Sequence, residues 1–175
     1  KTPVTYLNVQ KSIAAFERTL VTPSAFDKYL NGDVAALSAE QRSGLKTFIA
    51  TGCTQCHSGV AIGGSSFQKF GVYGDYRQHT ATHCDDEGRK KETRQEADKD
   101  FFKVPGLRNV EKTAPYFHNG CISDLSKAVK IMGKAQLNQD LTEAQVSSIV
   151  DFLKALTSDI PEEAKRAPEN IVASN

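Results

Sequence analysis

An all-α fold with long irregular loops is what this sequence predicts, and three observations carry the prediction. Helical periodicity occupies both ends of the 175-residue chain, capping signals mark its starts, and it disappears between residues 58 and 120. The expected helices cover about 8–20, 23–31, 38–51, 123–132 and 142–156. They belong to one domain over 1–161, followed by a poorly fixed tail over 162–175.

The first helix places Val9, Ile13, Phe16 and Leu20 on one face, with Asn8 as its cap. Thr22 and Pro23 read as an N-cap followed by proline at the first helical position, and Gly32 ends the short helix that carries Phe26 and Leu30. Ser38 and Gln41 form a capping box for the third helix, whose expected buried face is Leu45, Phe48 and Ile49. Gly52 stops that helix directly before Cys53. The long loop over 58–120 holds Gly59, Gly63, Gly64, Gly71 and Gly74, then a charged run from Asp85 to Asp100. A loop of that length in a compact domain carries function or wraps around something. A solvated surface is the expected state of the charged run, with a docking patch as the alternative. Ser123 caps the fourth helix, which buries Leu125, Ala128, Val129 and Met132 and ends at Gly133. Thr142 with Gln145 makes the clearest capping box, and Leu141 with Val146 makes the matching hydrophobic staple. The last helix buries Val146, Ile149, Val150 and Leu153.

Composition bounds the function. Basic and acidic residues number 22 and 21, a formal net charge of +1, so no global field points to nucleic acid. No apolar run is long enough for a membrane span. Apolar residues make up 39%, low for a chain that must fill a core alone, and a prosthetic group would supply part of the missing volume. The chain opens at Lys1 in a polar stretch without a secretory leader, which predicts a removed targeting segment or a piece of something longer.

Cys53-Thr54-Gln55-Cys56-His57 is the attachment signature of a c-type haem. Its two thiols add to the vinyl groups on one edge of a porphyrin, and the adjacent imidazole then reaches the iron. A zinc site would need a second tight ligand pair, which His83, Cys84 and Cys121 do not form. A thioredoxin-like redox pair would need a βαβ setting. The reading is a cytochrome c-like haem domain with one covalent haem c on Cys53 and Cys56 and His57 on iron. Candidates for the sixth iron position are Met132, His79, His83, His118, Tyr116 and water. Met132, the only methionine, sits on a buried helical face ahead of the terminal helix and is the expected ligand. A thioether ligand raises the potential and closes the iron, which suits electron transfer. Cys84 and Cys121 remain as an even pair, expected as a disulfide, with independent thiols as the alternative. Thioethers and a disulfide both suit an exported compartment, the bacterial periplasm.

The sequence also resembles the C-terminal, high-potential haem domain of bacterial dihaem cytochrome c peroxidases, over nearly its whole length. The resemblance rests on residues 14–23, on Gly52 through His57, and on the stretch from Phe102 to Val110 running on to Thr113-Ala114-Pro115-Tyr116-Phe117-His118-Asn119-Gly120. It implies His57 and Met132 as iron ligands and an electron-relay role. The related methylamine-pathway haem enzymes are similar but place a tyrosine at the methionine position. The resemblance further implies a calcium ion shared with an N-terminal haem domain, bound here through the backbone carbonyls of Thr113 and Pro115. Only one haem motif is present and tryptophan is absent, so the chain resembles half of such an enzyme. Arg108 is a candidate partner for a haem propionate and His118 a candidate neighbour of the haem edge.

The expected function is the electron-transfer half of a peroxidase that reduces hydrogen peroxide to water. Its expected partners are an N-terminal peroxidatic haem domain and a small cytochrome c or cupredoxin donor; a homodimer is a further candidate assembly. The alternatives are a stand-alone monohaem electron carrier and, with an exchangeable sixth position, a gas or redox sensor.

Overall fold

The computed structural model describes residues 4–20, 22–80 and 86–166. Thr5 starts the first helix, α1 (Tyr6–Glu17), by accepting a hydrogen bond from the Asn8 N–H at 3.2 Å. The cap is thus Thr5 and not Asn8, because the threonine hydroxyl already satisfies that amide. A 3-10 turn over Arg18–Leu20 follows. None of the α1 residues is buried: Val9, Ile13 and Phe16 are 44%, 54% and 52% exposed. Among the described residues the face expected in the core is therefore uncovered, since apolar spacing defines a face without supplying what packs on it.

The second helix, α2 (Ala25–Leu30), begins two positions later than Thr22-Pro23 suggested. Its cap is Ser24, whose N–H and hydroxyl both donate to the Asp27 carboxylate, at 2.7 and 2.8 Å. In α3 (Ala39–Ala50) the Ser38–Gln41 capping box forms as expected. Its buried side is Gly44 and Phe48, while Ile49 turns outward, 54% exposed.

The long middle stretch is less irregular than its composition suggests. Two short strands, β1 (Phe67–Lys69) and β2 (Phe101–Lys103), pair antiparallel with Gln68 opposite Phe102. Between them lie the single-turn helices α4 (Arg77–Thr80) and α5 (Lys90–Thr93). The charged run neutralises itself through Lys90–Glu87 at 2.8 Å, Lys90–Glu96 at 2.6 Å, Arg89–Asp98 at 3.4 Å and Lys91–Asp86 at 3.5 Å. It is a solvated, internally paired surface.

Two longer helices close the domain. Asp124, not Ser123, caps α6 (Leu125–Leu137), its side chain accepting from the Lys127 N–H at 2.6 Å. The helix passes through Gly133 and stops at Asn138, which adopts the left-handed conformation. Gly133 has a packing role instead: a Cβ there would stand 2.8 Å from the Leu141 side chain. The last helix, α7 (Glu143–Lys154), carries the expected Thr142–Gln145 box. It buries Val146, Ile149, Val150, Phe152 and Leu153, each worth about 1.5–3 kcal/mol on leaving water.

Helices α3 and α7 cross in close contact. A Cβ on Gly44 would collide with the Ser148 carbonyl, and Phe48 and Phe152 pack with ring centres 5.3 Å apart. Around this crossing gather Ile62, Leu107, Val110, Ile149, Leu153 and Leu156. A second cluster joins Phe70, Tyr76 and Ile122 to Ala128, Ile131 and Ala135 of α6. The fold is mainly helical with one small two-stranded ribbon, so the all-α expectation holds only approximately. Among the described residues, no helix is long and apolar enough to cross a membrane.

Candidate haem site

A cavity of about 450 Å³ opens between the two clusters. Cys53, Cys56, His57 and Met132 all line it. Gly52, left-handed at φ 92°, ends the run from α3 and starts a 3-10 turn over Cys53–Gln55. The His57 N–H then donates to the Cys53 carbonyl at 3.0 Å, which brings both cysteines and the imidazole to one wall. Burial pushes the Cys53 thiol up, so it stays protonated.

Burial also lowers the His57 pKa, against the backbones of Ile62 and Pro105, so the ring is held neutral with a lone pair to donate. Its buried Nδ1 completes no hydrogen bond among the described residues. The loop behind it is fastened to the segment after β2: Gly64 N–H donates to Val104 at 2.8 Å and Leu107 N–H to Ala61 at 3.1 Å. Gly63, at φ 127°, makes that approach feasible, because a Cβ there would collide with the Pro105 carbonyl and lie 3.2 Å from His57 Nδ1.

Helix α6 supplies Leu125, Val129 and Met132 to the cavity. These three are only partly buried, unlike the fully covered core face expected, because their exposure is toward the cavity. Tyr116 and His118 line it as well, while His79 does not. His118 is already engaged. Its ring stacks on Phe102 at 3.9 Å, and the Tyr76 hydroxyl lies 3.3 Å from Nε2. Burial pushes the Tyr76 phenol up to about 12, so that hydroxyl keeps its proton. Burial likewise raises the Tyr116 phenol, which disfavours a phenolate ligand. Among the described residues Met132 has no competing partner of this kind, and His83 lies outside them. Two thiols, a neutral imidazole and a thioether in a largely apolar cavity fit a covalently tethered haem.

Arg108 is not part of this wall. Its guanidinium grips the Asp27 carboxylate at 2.8 and 2.6 Å, and its Nε donates to the Val60 carbonyl at 2.7 Å. The candidate propionate contact is corrected accordingly, since these donors are spent on fixing α2. Thr113 and Pro115 both line the cavity, and the Thr113 hydroxyl donates to the Val110 carbonyl at 3.2 Å. No cluster of three or more metal-binding side chains exists among the described residues. The Cys84–Cys121 pairing involves Cys84, which lies outside them. Sequence reasoning missed Phe70, Phe102 and Lys103 as cavity residues. They sit on or beside strands of three residues, too short for an alternation to be read.

No protein-family model matches the chain. It is 49% identical over 160 residues to a cytochrome c551 peroxidase of Nitrosomonas europaea, covering 91% of this chain and 47% of that protein. A cytochrome c551 peroxidase of Pseudomonas aeruginosa is 43% identical, with 91% and 46% covered. The chain thus spans about half the length of these curated relatives. Among solved structures, a MauG-like protein associated with microbial copper homeostasis superposes with a TM-score of 0.65 at 24% identity, over 83% of this chain and 50% of that one. That likeness is one of fold.

Proposed function

The chain is a homologue of the bacterial cytochrome c peroxidases, a family of haem oxidoreductases, and from that premise we propose that it forms the electron-relay half of such an enzyme. One observation carries the reading: His57 and Met132 line a single apolar cavity beside Cys53 and Cys56. When bound, the haem supplies a one-electron ferric–ferrous couple. Cys53 and Cys56 would tether it, and neutral His57 would offer a lone pair to its iron. Met132 would offer its thioether sulfur to the same iron and keep water from it. The surrounding Phe48, Leu107, Ile149 and Leu153 exclude solvent, which favours the less charged ferrous state.

Reduction of hydrogen peroxide to water is assigned to the other half, where an open iron position is required. The uncovered apolar face of α1 supports a partner domain, and a small reduced cytochrome c or cupredoxin is the proposed donor. Thr113 and Pro115 carbonyls would contribute to a calcium site only if the other half supplied the remaining oxygens, since calcium takes six to eight. Covalent haem attachment would suit an exported, oxidising compartment, and the bacterial periplasm is the proposed location. A stand-alone monohaem carrier is the second reading, favoured by the single Cys53–His57 motif. Haem stoichiometry and mass of the native protein test the choice: two haems on a chain about twice this length support the relay, and one haem on a chain of this length supports the carrier.

A further inference from the structure

A haem carries two carboxylates on the edge remote from its vinyl groups. Tethering at Cys53 and Cys56 directs them to parts of the wall that those cysteines do not form. No aspartate or glutamate lines the cavity among the described residues, and Lys103 is the one lysine or arginine that does. Lys103 ends β2, where its backbone is held opposite Phe67. It makes no ion pair among the described residues. Most cations of the preceding loop are paired, Arg77 with Asp75 and Asp100, Arg89 with Asp98, Lys90 with Glu87 and Glu96, Lys91 with Asp86, and Lys99 with Glu87, while Arg94 does not line the cavity. Arg108, the other cation near the site by sequence, is locked to Asp27.

We propose that Lys103 is the cationic partner of a haem propionate and positions the porphyrin from the side opposite its thioether tethers. The proposal rests on the haem reading above. An ammonium group beside a carboxylate keeps it ionised and places positive charge near the iron, which favours the ferrous state. The other ionisable groups on the wall are Cys53, Cys56, His57, Tyr116 and His118. The thiols are consumed by the tethers and His57 by the iron. Tyr116 and His118 are common to wild type and variant, so a difference between the two reports on residue 103.

The test is redox titration of the full holoprotein across pH, with resonance Raman spectra of the propionate-bending modes. In Lys103→Gln the midpoint potential at neutral pH should fall. The pH range over which the potential declines should move upward, because a propionate without its lysine titrates higher. The bending mode should shift. Lys103→Arg should behave as wild type, and Lys99→Gln should serve as a surface-charge control without these changes. Covalent haem is quantified in each variant, so the comparison holds even if attachment is reduced. Unchanged potential, pH range and bending mode in Lys103→Gln would overturn the assignment. A wild-type chain that carries no covalent haem after maturation would overturn the haem reading, and this inference with it.

Discussion

Arg108 and Asp27 meet as a two-pronged pair, 81 positions apart in sequence, with nitrogen–oxygen distances of 2.8 and 2.6 Å. The contact joins α2 to the segment that follows β2, and Ser24 adds two further hydrogen bonds to the same carboxylate. The Arg108 guanidinium, first of all, holds the Asp27 carboxyl well below the usual carboxylate range.

Asp27→Asn should therefore destabilise the protein by about 2 kcal/mol near neutral pH, the loss of a charge-assisted pair. A depressed folded-state pKa contributes stability above the ordinary carboxylate pKa, and that contribution is lost as pH falls toward the folded value. Urea midpoints measured from neutral pH into acid should decline more steeply in wild type than in Asp27→Asn. Parallel curves would show that the pair contributes nothing.

Gly44→Ala tests the α3–α7 crossing. Alanine is the better helix former by about 1 kcal/mol, yet its methyl group would strike the Ser148 carbonyl. The collision should win, with a net loss of about 1–3 kcal/mol and a lower melting temperature. A more stable variant would mean that the helices part easily.

Much of this was legible beforehand, and the limits have physical causes. Val146, Ile149, Val150 and Leu153 announce a buried face and are buried. Cys53 to His57 announces a haem-attachment spacing, and these residues do meet at one cavity wall. The same periodicity in α1 announces a buried face that the described residues do not cover. Gly133 reads as a helix stop, whereas its missing side chain admits Leu141 and the stop belongs to Asn138. The β1–β2 pairing joins Gln68 to Phe102 across more than thirty residues, and nothing local encodes it.

Met132→Ala should abolish the weak far-red sulfur-to-iron band of the oxidised protein. Wild-type chain should accept electrons from a small reduced cytochrome while turning over peroxide negligibly. Enzyme-like peroxide turnover with the band intact would overturn the relay assignment.

Ile13→Glu or Phe16→Glu should leave the stability of the chain itself within about 0.5 kcal/mol, because both side chains are already half-exposed. With the proposed partner domain present, the same change should loosen α1 from it, seen as faster amide exchange over Tyr6–Glu17. Equal loss of stability in the chain alone would place the face in its own core.

The division of the interior has a consequence for the life of the polypeptide. With the cavity between them unfilled, the α3–α7 cluster and the α6 cluster share an apolar wall that would face solvent. A molecule that has not yet taken up the proposed haem therefore passes through an immature state whose weakness lies where the prosthetic group belongs. Surveillance proteases, which cut chains that open readily, would clear molecules that missed maturation and spare those that completed it.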